Sequence, residues 1–232
     1  MTGPTRRRIY LMRHGAVAYF DDAGRPVRPE TVSLTEEWRA QAEAARELLS
    51  GTAFDRVIAS GLPRTVQTAA LVAPGHAIEE WPDLEELRGD RLDSIPPREL
   101  EAAFVHAFRG VVPNEKRFLG GESIGELFDR VLPALERLIA DDGWHTALAV
   151  LHGGVNRAIL SFALTAERMF LGRFEQAPAC VNVLDLGDGG EWIVRAVNVS
   201  PTDPAHRLTR KTTMEGYWES YANSPATPPA RD

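Results

Sequence analysis

The stretch Ile9-Tyr10-Leu11-Met12-Arg13-His14-Gly15 runs four apolar residues straight into a guanidinium, an imidazole and a glycine. A short continuous apolar run of this kind reads as a buried strand. A strand that served only the core would leave through a turn. This one carries two groups able to hold or attack an anion to its carboxyl end, the edge of an open α/β sheet where ligands collect. His14 therefore reads as a nucleophile, and the rest of the chain as the source of its partners.

The opening pattern recurs twice. Ala147-Leu148-Ala149-Val150-Leu151 is a second apolar run, ending in His152-Gly153-Gly154 ahead of a helical stretch over 155–164. Arg56-Val57-Ile58-Ala59-Ser60 is a third, which Gly61 and Pro63 turn into a helix through about residue 72. Between the first and third runs, residues 21–30 are rich in Asp, Gly and Pro and read as a loop. A helix then starts at Ser33, which has capping-box spacing to Glu36, presents Trp38, Ala42, Ala45, Leu48 and Leu49 on one face, and closes at Gly51.

Further on, residues 81–93 read as loop, and residues 98–108 place Leu100, Phe104 and Phe108 at fourfold spacing, a helical insertion. Ser123 and Glu126 form another capping box, followed by the stripe Leu127, Val131, Leu135, Leu138 and Ile139. Pro133 inside that stripe predicts a kink or a helix that starts anew. Residues 181–186 and 192–198 read as a hairpin joined across 187–190. The tail 223–232, with three prolines, reads as disordered.

Strands alternating with helices predict an α/β fold, a three-layer sandwich with a mostly parallel central sheet and helices on both faces. The last hairpin adds antiparallel strands at an edge. One domain is expected over residues 1–222, with a helical cap insertion at about 88–120.

At 232 residues, 44% hydrophobic and 25% charged, the chain has the composition of an ordinary globular domain with a sizeable core. A net charge of -7 speaks against nucleic acid as a partner. Among 26 basic residues only Lys116 and Lys211 are lysines, so an isolated arginine near a motif carries little weight. Cys180 is the single cysteine, which rules out a disulfide within the chain and any multi-cysteine metal cluster. A cytoplasmic location is expected, because the basic residues 1–8 precede only four apolar residues before Arg13 interrupts them, too few for an export signal. No run approaches the roughly 18–20 apolar residues of a membrane helix, so no membrane partner is expected.

If the three strands are parallel neighbours, Arg13, His14, Arg64 and His152 share one edge. Two imidazoles and two guanidiniums suit a phosphate. The arginine fork pairs with phosphoryl oxygens, and Arg64 also has a helix amino end beside it. A histidine attacks phosphorus through a neutral nitrogen, which requires its other ring nitrogen to donate to a fixed acceptor. Each signal alone is weak, since a lone histidine at a strand end is more often a satisfied structural residue. The combination of all three strand ends is far more specific.

These stretches resemble the histidine phosphatase superfamily, the phosphoglycerate mutase-like family, over most of the chain. Residues 11–15 are similar to its phosphohistidine signature and residues 60–69 (Ser60-Gly61-Leu62-Pro63-Arg64-Thr65-Val66-Gln67-Thr68-Ala69) to its second motif. Gly121-Glu122-Ser123 and Leu151-His152-Gly153-Gly154-Val155 are similar to its later motifs. The resemblance implies that His14 takes the phosphoryl group while Arg13, Arg64, His152 and the Gly153 amide bind its oxygens, with no metal and no cofactor. It implies a carboxylic acid in Asp83-Leu84-Glu85-Glu86-Leu87-Arg88-Gly89, with Glu86 the best match as general acid and then base, and Glu85 the fallback. Otherwise that segment would read as a solvated acidic run.

The implied activity is a phosphomonoesterase acting on a small phosphorylated molecule. A phosphoglycerate-type mutase and a non-catalytic module that binds a phosphorylated ligand are the alternatives, and no oligomeric state is assigned. The chain departs from the family at Ala16, Val17, Ala18, Tyr19 and Phe20, which read either as an altered substrate mouth or as core packing, and at Trp38, where glycine is common and a packing role is expected. Leu87-Arg88-Gly89-Asp90 replaces the Arg-His-Tyr-Gly of mutases, which favours hydrolysis. Arg91, Arg98, Arg109, Lys116 and Arg117 in the cap either contact a second anionic group or form a solvated face, the latter preferred. Arg157 is expected to hold a loop or sheet edge. His76, His106, His145 and His206 are expected to be structural or exposed.

Overall fold

Successive side chains of a strand point to opposite faces, and here that alternation sorts the core into two halves around one sheet. The computed structural model describes residues 6–19, 21, 27, 31–32, 35–90, 95–208 and 210–223. In chain order the elements are β1 (Arg7–Arg13), α1 (Glu36–Leu48), β2 (Arg56–Ala59), α2 (Pro63–Val72), β3 (Ile78–Glu80), α3 (Pro97–Val105) and β4 (Val111–Val112). They continue with α4 (Ile124–Ala140), β5 (Thr146–Leu151), α5 (Gly153–Thr165), β6 (Phe170–Leu171), β7 (Val181–Leu186), β8 (Trp192–Val199) and α6 (Thr213–Ala222). Ile9, Leu11, Ile58, Ala149 and Leu151 face α4 and α5, whereas Met12, Val57, Ala59, Leu148 and Val150 face α1 and α2. The protein is thus the expected three-layer sandwich.

The six-stranded sheet has the order β3-β2-β5-β1-β7-β8. The pairs β3/β2, β2/β5 and β5/β1 are parallel, and the β7–β8 hairpin adds antiparallel strands at one edge. The register places Arg13 level with Leu151 and Ala59 level with Val150. His14, His152 and Ser60, each the next residue along its strand, consequently emerge together at one sheet edge.

Several elements differ from expectation. The N-cap of α1 is Thr35, whose hydroxyl accepts from the Trp38 N–H at 3.3 Å, so the helix begins later than a Ser33 cap would place it; Ser33 itself lies outside the described residues. Pro133 neither stops nor restarts α4, which runs unbroken because Leu127, Phe128, Val131, Leu135 and Leu138 bury its apolar stripe and outweigh one missing backbone bond. Helix α3 ends at Val105, leaving Phe108 beyond it, stacked on Phe118 at 5.4 Å.

Strand β3, the small β4–β6 pair and α6 were not expected. Thr212 and Glu215 form the capping box that announces α6, and Asn223 is its C-cap rather than the start of a tail. Of the 21–30 loop only Asp21 and Val27 are described, and residues 91–93 of the 81–93 loop, Phe20, and residues 224–232 of the tail lie outside the described residues. No helix among the described residues is long and apolar enough to cross a membrane.

Candidate active site

His14 is held on both sides by backbone. Its N–H donates to Leu151 O at 3.0 Å and its carbonyl accepts from the Ala179 N–H at 3.1 Å. The ring is 1% exposed. Nδ1 lies 2.7 Å from Gly15 O and donates to it, which places the lone pair on Nε2, where Arg64 Nε donates from 3.3 Å. Burial first, then the Arg13 and Arg64 guanidiniums, hold the His14 pKa well below the usual imidazole value. The imidazole is neutral and its free nitrogen faces the arginine.

Gly15 is required by contact. A Cβ there would stand 1.8 Å from Cδ1 of Trp38. The Trp38 indole N–H donates to Thr68 Oγ1 at 2.8 Å, and that hydroxyl accepts from the Gly15 N–H at 3.3 Å and donates to Arg64 O at 2.7 Å. Trp38 therefore does more than the packing expected of it: through one saturated hydroxyl it ties the turn after His14 to the first turn of α2.

His152 is the N-cap of α5, with its ring 5.2 Å from that of His14. Its Nε2 lies 2.8 Å from Ser60 Oγ. Burial, then Arg64 and His14, hold its pKa well below the usual value, so this ring is neutral too. Three buried donors or ring nitrogens have no hydrogen-bond partner among the described residues: Arg13 Nε, His152 Nδ1 and Arg157 Nε. Buried polar atoms left unpaired in this way call for an explanation.

Arg157, four residues past Gly153, points back toward the start of α5, with Nη1 3.2 Å from where a Gly153 Cβ would be, and there it holds the loop that carries Glu175, as expected of it. Its guanidinium lies 4.9 Å over the Phe108 ring and 3.6 Å from Glu175, and burial lowers its pKa.

Glu86 meets the same helix start. Its Oε1 accepts from the Leu87 and Gly154 N–H groups, each at 2.9 Å, and a Cβ on Gly154 would come within 2.7 Å of that oxygen. Arg130 of α4 fixes the segment that carries it. Arg130 donates to the carbonyls of Asp83, Glu85 and Glu86 at 2.9, 2.6 and 3.1 Å and makes a two-point pair with Glu122 at 2.7 and 2.8 Å. Nothing in the sequence had marked Arg130, although Glu122 lay in a recognised motif. Glu85 instead pairs with the exposed Arg88 at 3.3 Å.

The structure thus brings together Arg13, His14, Arg64, Glu86, His152 and Gly153. The cap cations do not join them: Arg98, Arg109, Lys116 and Arg117 are exposed, Arg98 against Glu99 and Arg117 against Glu126, while Arg91 lies outside the described residues. His76, His106, His145 and His206 are exposed. Among the described residues no group of three or more His, Cys, Asp or Glu side chains could hold a metal ion.

The two neutral imidazoles carry a stability consequence. When the chain unfolds, each regains a pKa near 6.5, so below that pH the unfolded state binds more protons than the folded one. Stability is then complete above about pH 6.5 and falls as pH drops toward the depressed folded values, with a slope approaching about 2.7 kcal/mol per pH unit for two groups. We expect the urea midpoint to fall between pH 6.5 and 5, and the His14→Ala protein to show about half that slope. A midpoint that does not move over this window contradicts neutral, buried imidazoles.

The family model described as "Histidine phosphatase superfamily (branch 1)" matches residues 9–199. The chain is 30% identical over 193 residues to the metal-independent phosphoserine phosphatase of Arabidopsis thaliana, covering 80% of this chain and 79% of that one. It is 23% identical over 221 residues to the 2-carboxy-D-arabinitol-1-phosphatase of Triticum aestivum, covering 85% of this chain and 42% of that one, so it spans less than half of the wheat enzyme's length. Among solved structures, the alpha-ribazole phosphatase of Shigella flexneri superposes with a TM-score of 0.67 at 22% identity, over 82% of this chain and 96% of that one, a likeness of fold.

Proposed function

The chain belongs to branch 1 of the histidine phosphatase superfamily, and from that premise we propose that it is a metal-independent phosphomonoesterase that hydrolyses a small phosphorylated metabolite through a phosphohistidine on His14. The observation that carries the reading is the state of His14: buried, neutral, its Nδ1 proton fixed on Gly15 O, its Nε2 beside Arg64 and its ring 5.2 Å from that of His152. The named relatives, a phosphoserine phosphatase and a 2-carboxy-D-arabinitol-1-phosphatase, support the substrate class.

In this mechanism Nε2 attacks phosphorus and the bond to the ester oxygen breaks. The phosphoryl oxygens take the unpaired Arg13 Nε–H, the Arg64 guanidinium, the Gly153 amide at the positive end of α5, and His152 Nδ1. With Ser60 Oγ donating to Nε2, the His152 proton sits on Nδ1 and points at the anion. The developing charge meets donors already in place. Glu86, its Oε1 occupied by two backbone N–H groups, delivers a proton to the leaving oxygen from Oε2. The carboxylate then takes a proton from the water that attacks phosphohistidine, which releases phosphate and restores His14. Residues 88–120, with α3 and β4, serve as the cap. With its one cysteine, the chain fits the cytoplasm.

Release of inorganic phosphate from a panel of phosphorylated metabolites in excess EDTA tests the proposal, and undiminished turnover is expected. Turnover that needs an added metal, or a phosphoryl group that only moves between positions of the substrate, sinks it. Hydrolysis is favoured over a mutase by Leu87, a buried apolar residue at the position where the mutases' Arg-His-Tyr-Gly begins, with Arg88 beside it exposed and paired with Glu85.

A further inference from the structure

Helix α6 lies beyond residue 199, where the family model ends, and it has no buried residue. A helix with only partly buried residues needs another reason to dock, and its contacts supply one. Its first turn reaches the phosphate arginine. Arg13 Nη1 donates to Gln176 O and, at 3.1 Å, to Thr213 Oγ1, while Nη2 donates to the Tyr217 hydroxyl at 2.7 Å.

We propose that α6 is part of the phosphate site, with Thr213 and Tyr217 as positioning residues for Arg13 and Tyr217 closing the pocket against Tyr19. A guanidinium has five N–H groups. Gln176, Thr213 and Tyr217 take three of them, which leaves Nε–H and one Nη2–H, the pair that binds an anion side-on through two parallel bonds. Nε is the nitrogen found buried and unpaired. The outer three bonds therefore fix the plane of the fork and aim its remaining edge, so that little ordering is left for the moment of binding.

The clamp is itself anchored. The Thr213 hydroxyl donates to Glu175 Oε1 at 2.6 Å, and the Thr213 N–H donates to the same oxygen at 3.0 Å. The Thr213 hydroxyl's proton is thus committed to Glu175, and its lone pairs are available to Arg13. The other oxygen of Glu175 is 3.6 Å from Arg157, so a second buried arginine holds the helix start in register with α5. At the far end, Trp218 and Tyr221 pack on Phe104 of α3 at 6.1 and 6.0 Å. Tyr217 itself meets Tyr19, one of the residues where the mouth departs from the family, edge to face at 4.9 Å. The helix thereby links the cap, the altered mouth and the arginine.

This inference rests on the functional reading above, and orthovanadate, a phosphoryl mimic, separates the two. Vanadate affinity by calorimetry, and kcat and KM for a phosphomonoester, are measured for the unmodified protein, Tyr217→Phe, Thr213→Val and Thr213→Ser, with thermal melting as the folding control. Tyr217→Phe and Thr213→Val are expected to bind vanadate about tenfold more weakly, about 1.4 kcal/mol. KM should rise more than kcat falls, and Thr213→Ser should recover most of the loss. Binding within twofold of the unmodified protein for both variants overturns the proposal, as does a Thr213→Ser protein no better than Thr213→Val. An unmodified protein that neither binds vanadate nor releases phosphate overturns the functional reading, and this inference with it.

Discussion

Alanine at position 14 is expected to slow phosphomonoester turnover by at least about 10⁴-fold, an effect of the size seen when a covalent nucleophile is removed. The magnitude follows from what remains. Arg13, Arg64 and His152 still surround the phosphate, so binding changes little, and the residual rate is direct attack by water on a well-held ester. His152 cannot stand in, because its Nε2 is engaged by Ser60 at 2.8 Å and its ring sits 5.2 Å away from that of His14.

Rapid quenching of the unmodified protein with labelled substrate should trap phosphate that survives base and is lost in acid, the behaviour of a phosphorus–nitrogen bond. The same quench of the His14→Ala protein should trap none. Turnover within tenfold of the unmodified protein, or trapped label that persists without His14, would assign the nucleophile elsewhere.

How much of this was legible in the sequence depends on how local each signal is. His14, Ser60 and His152 each follow an apolar run directly, and a parallel sheet brings such ends together without any further information, so the pocket could be placed from strand pattern alone. Glu86 was different. Its segment reads as an acidic run, and only the family resemblance distinguished it. What singles it out physically is the Gly154 N–H on its Oε1, within a segment held by the Arg130–Glu122 clamp, and these residues lie far from Glu86 along the chain and have no shared pattern with it.

Arg157 does hold a loop, that of Glu175, as its lack of motif context suggested; what the sequence did not show is its nearness to Gly153, since four residues past it the side chain leans back toward the amino end of the helix. Helix α6 carried a readable capping box at Thr212 and Glu215 but no apolar stripe, because polar contacts and a few aromatic contacts hold it rather than a fully buried face.

The proton donor is open to a sharper test than loss of activity. Glutamine at position 86 preserves shape: its amide oxygen accepts from the Leu87 and Gly154 N–H groups as Oε1 does, so the loop held by Arg130 should stay in place. What disappears is the transferable proton. An alkyl phosphate expels a strongly basic alkoxide and needs that proton, so its kcat/KM should fall by about 10³-fold, within the range for general acid catalysis. An aryl phosphate with an activated phenol leaves unaided, and its kcat/KM, which reports only the steps through departure, should change by less than about tenfold.

The proposed mechanism also gives Glu86 the role of base in the second step. The aryl substrate should therefore show a burst of phenol followed by slow release of phosphate, as phosphohistidine accumulates without a base for its water. Glu85→Gln, at a side chain paired outward with Arg88, should leave both substrates near their original rates. Equal losses on alkyl and aryl esters for Glu86→Gln would remove this residue from proton transfer. A leaving-group-dependent loss in Glu85→Gln instead would move the role one position along the chain.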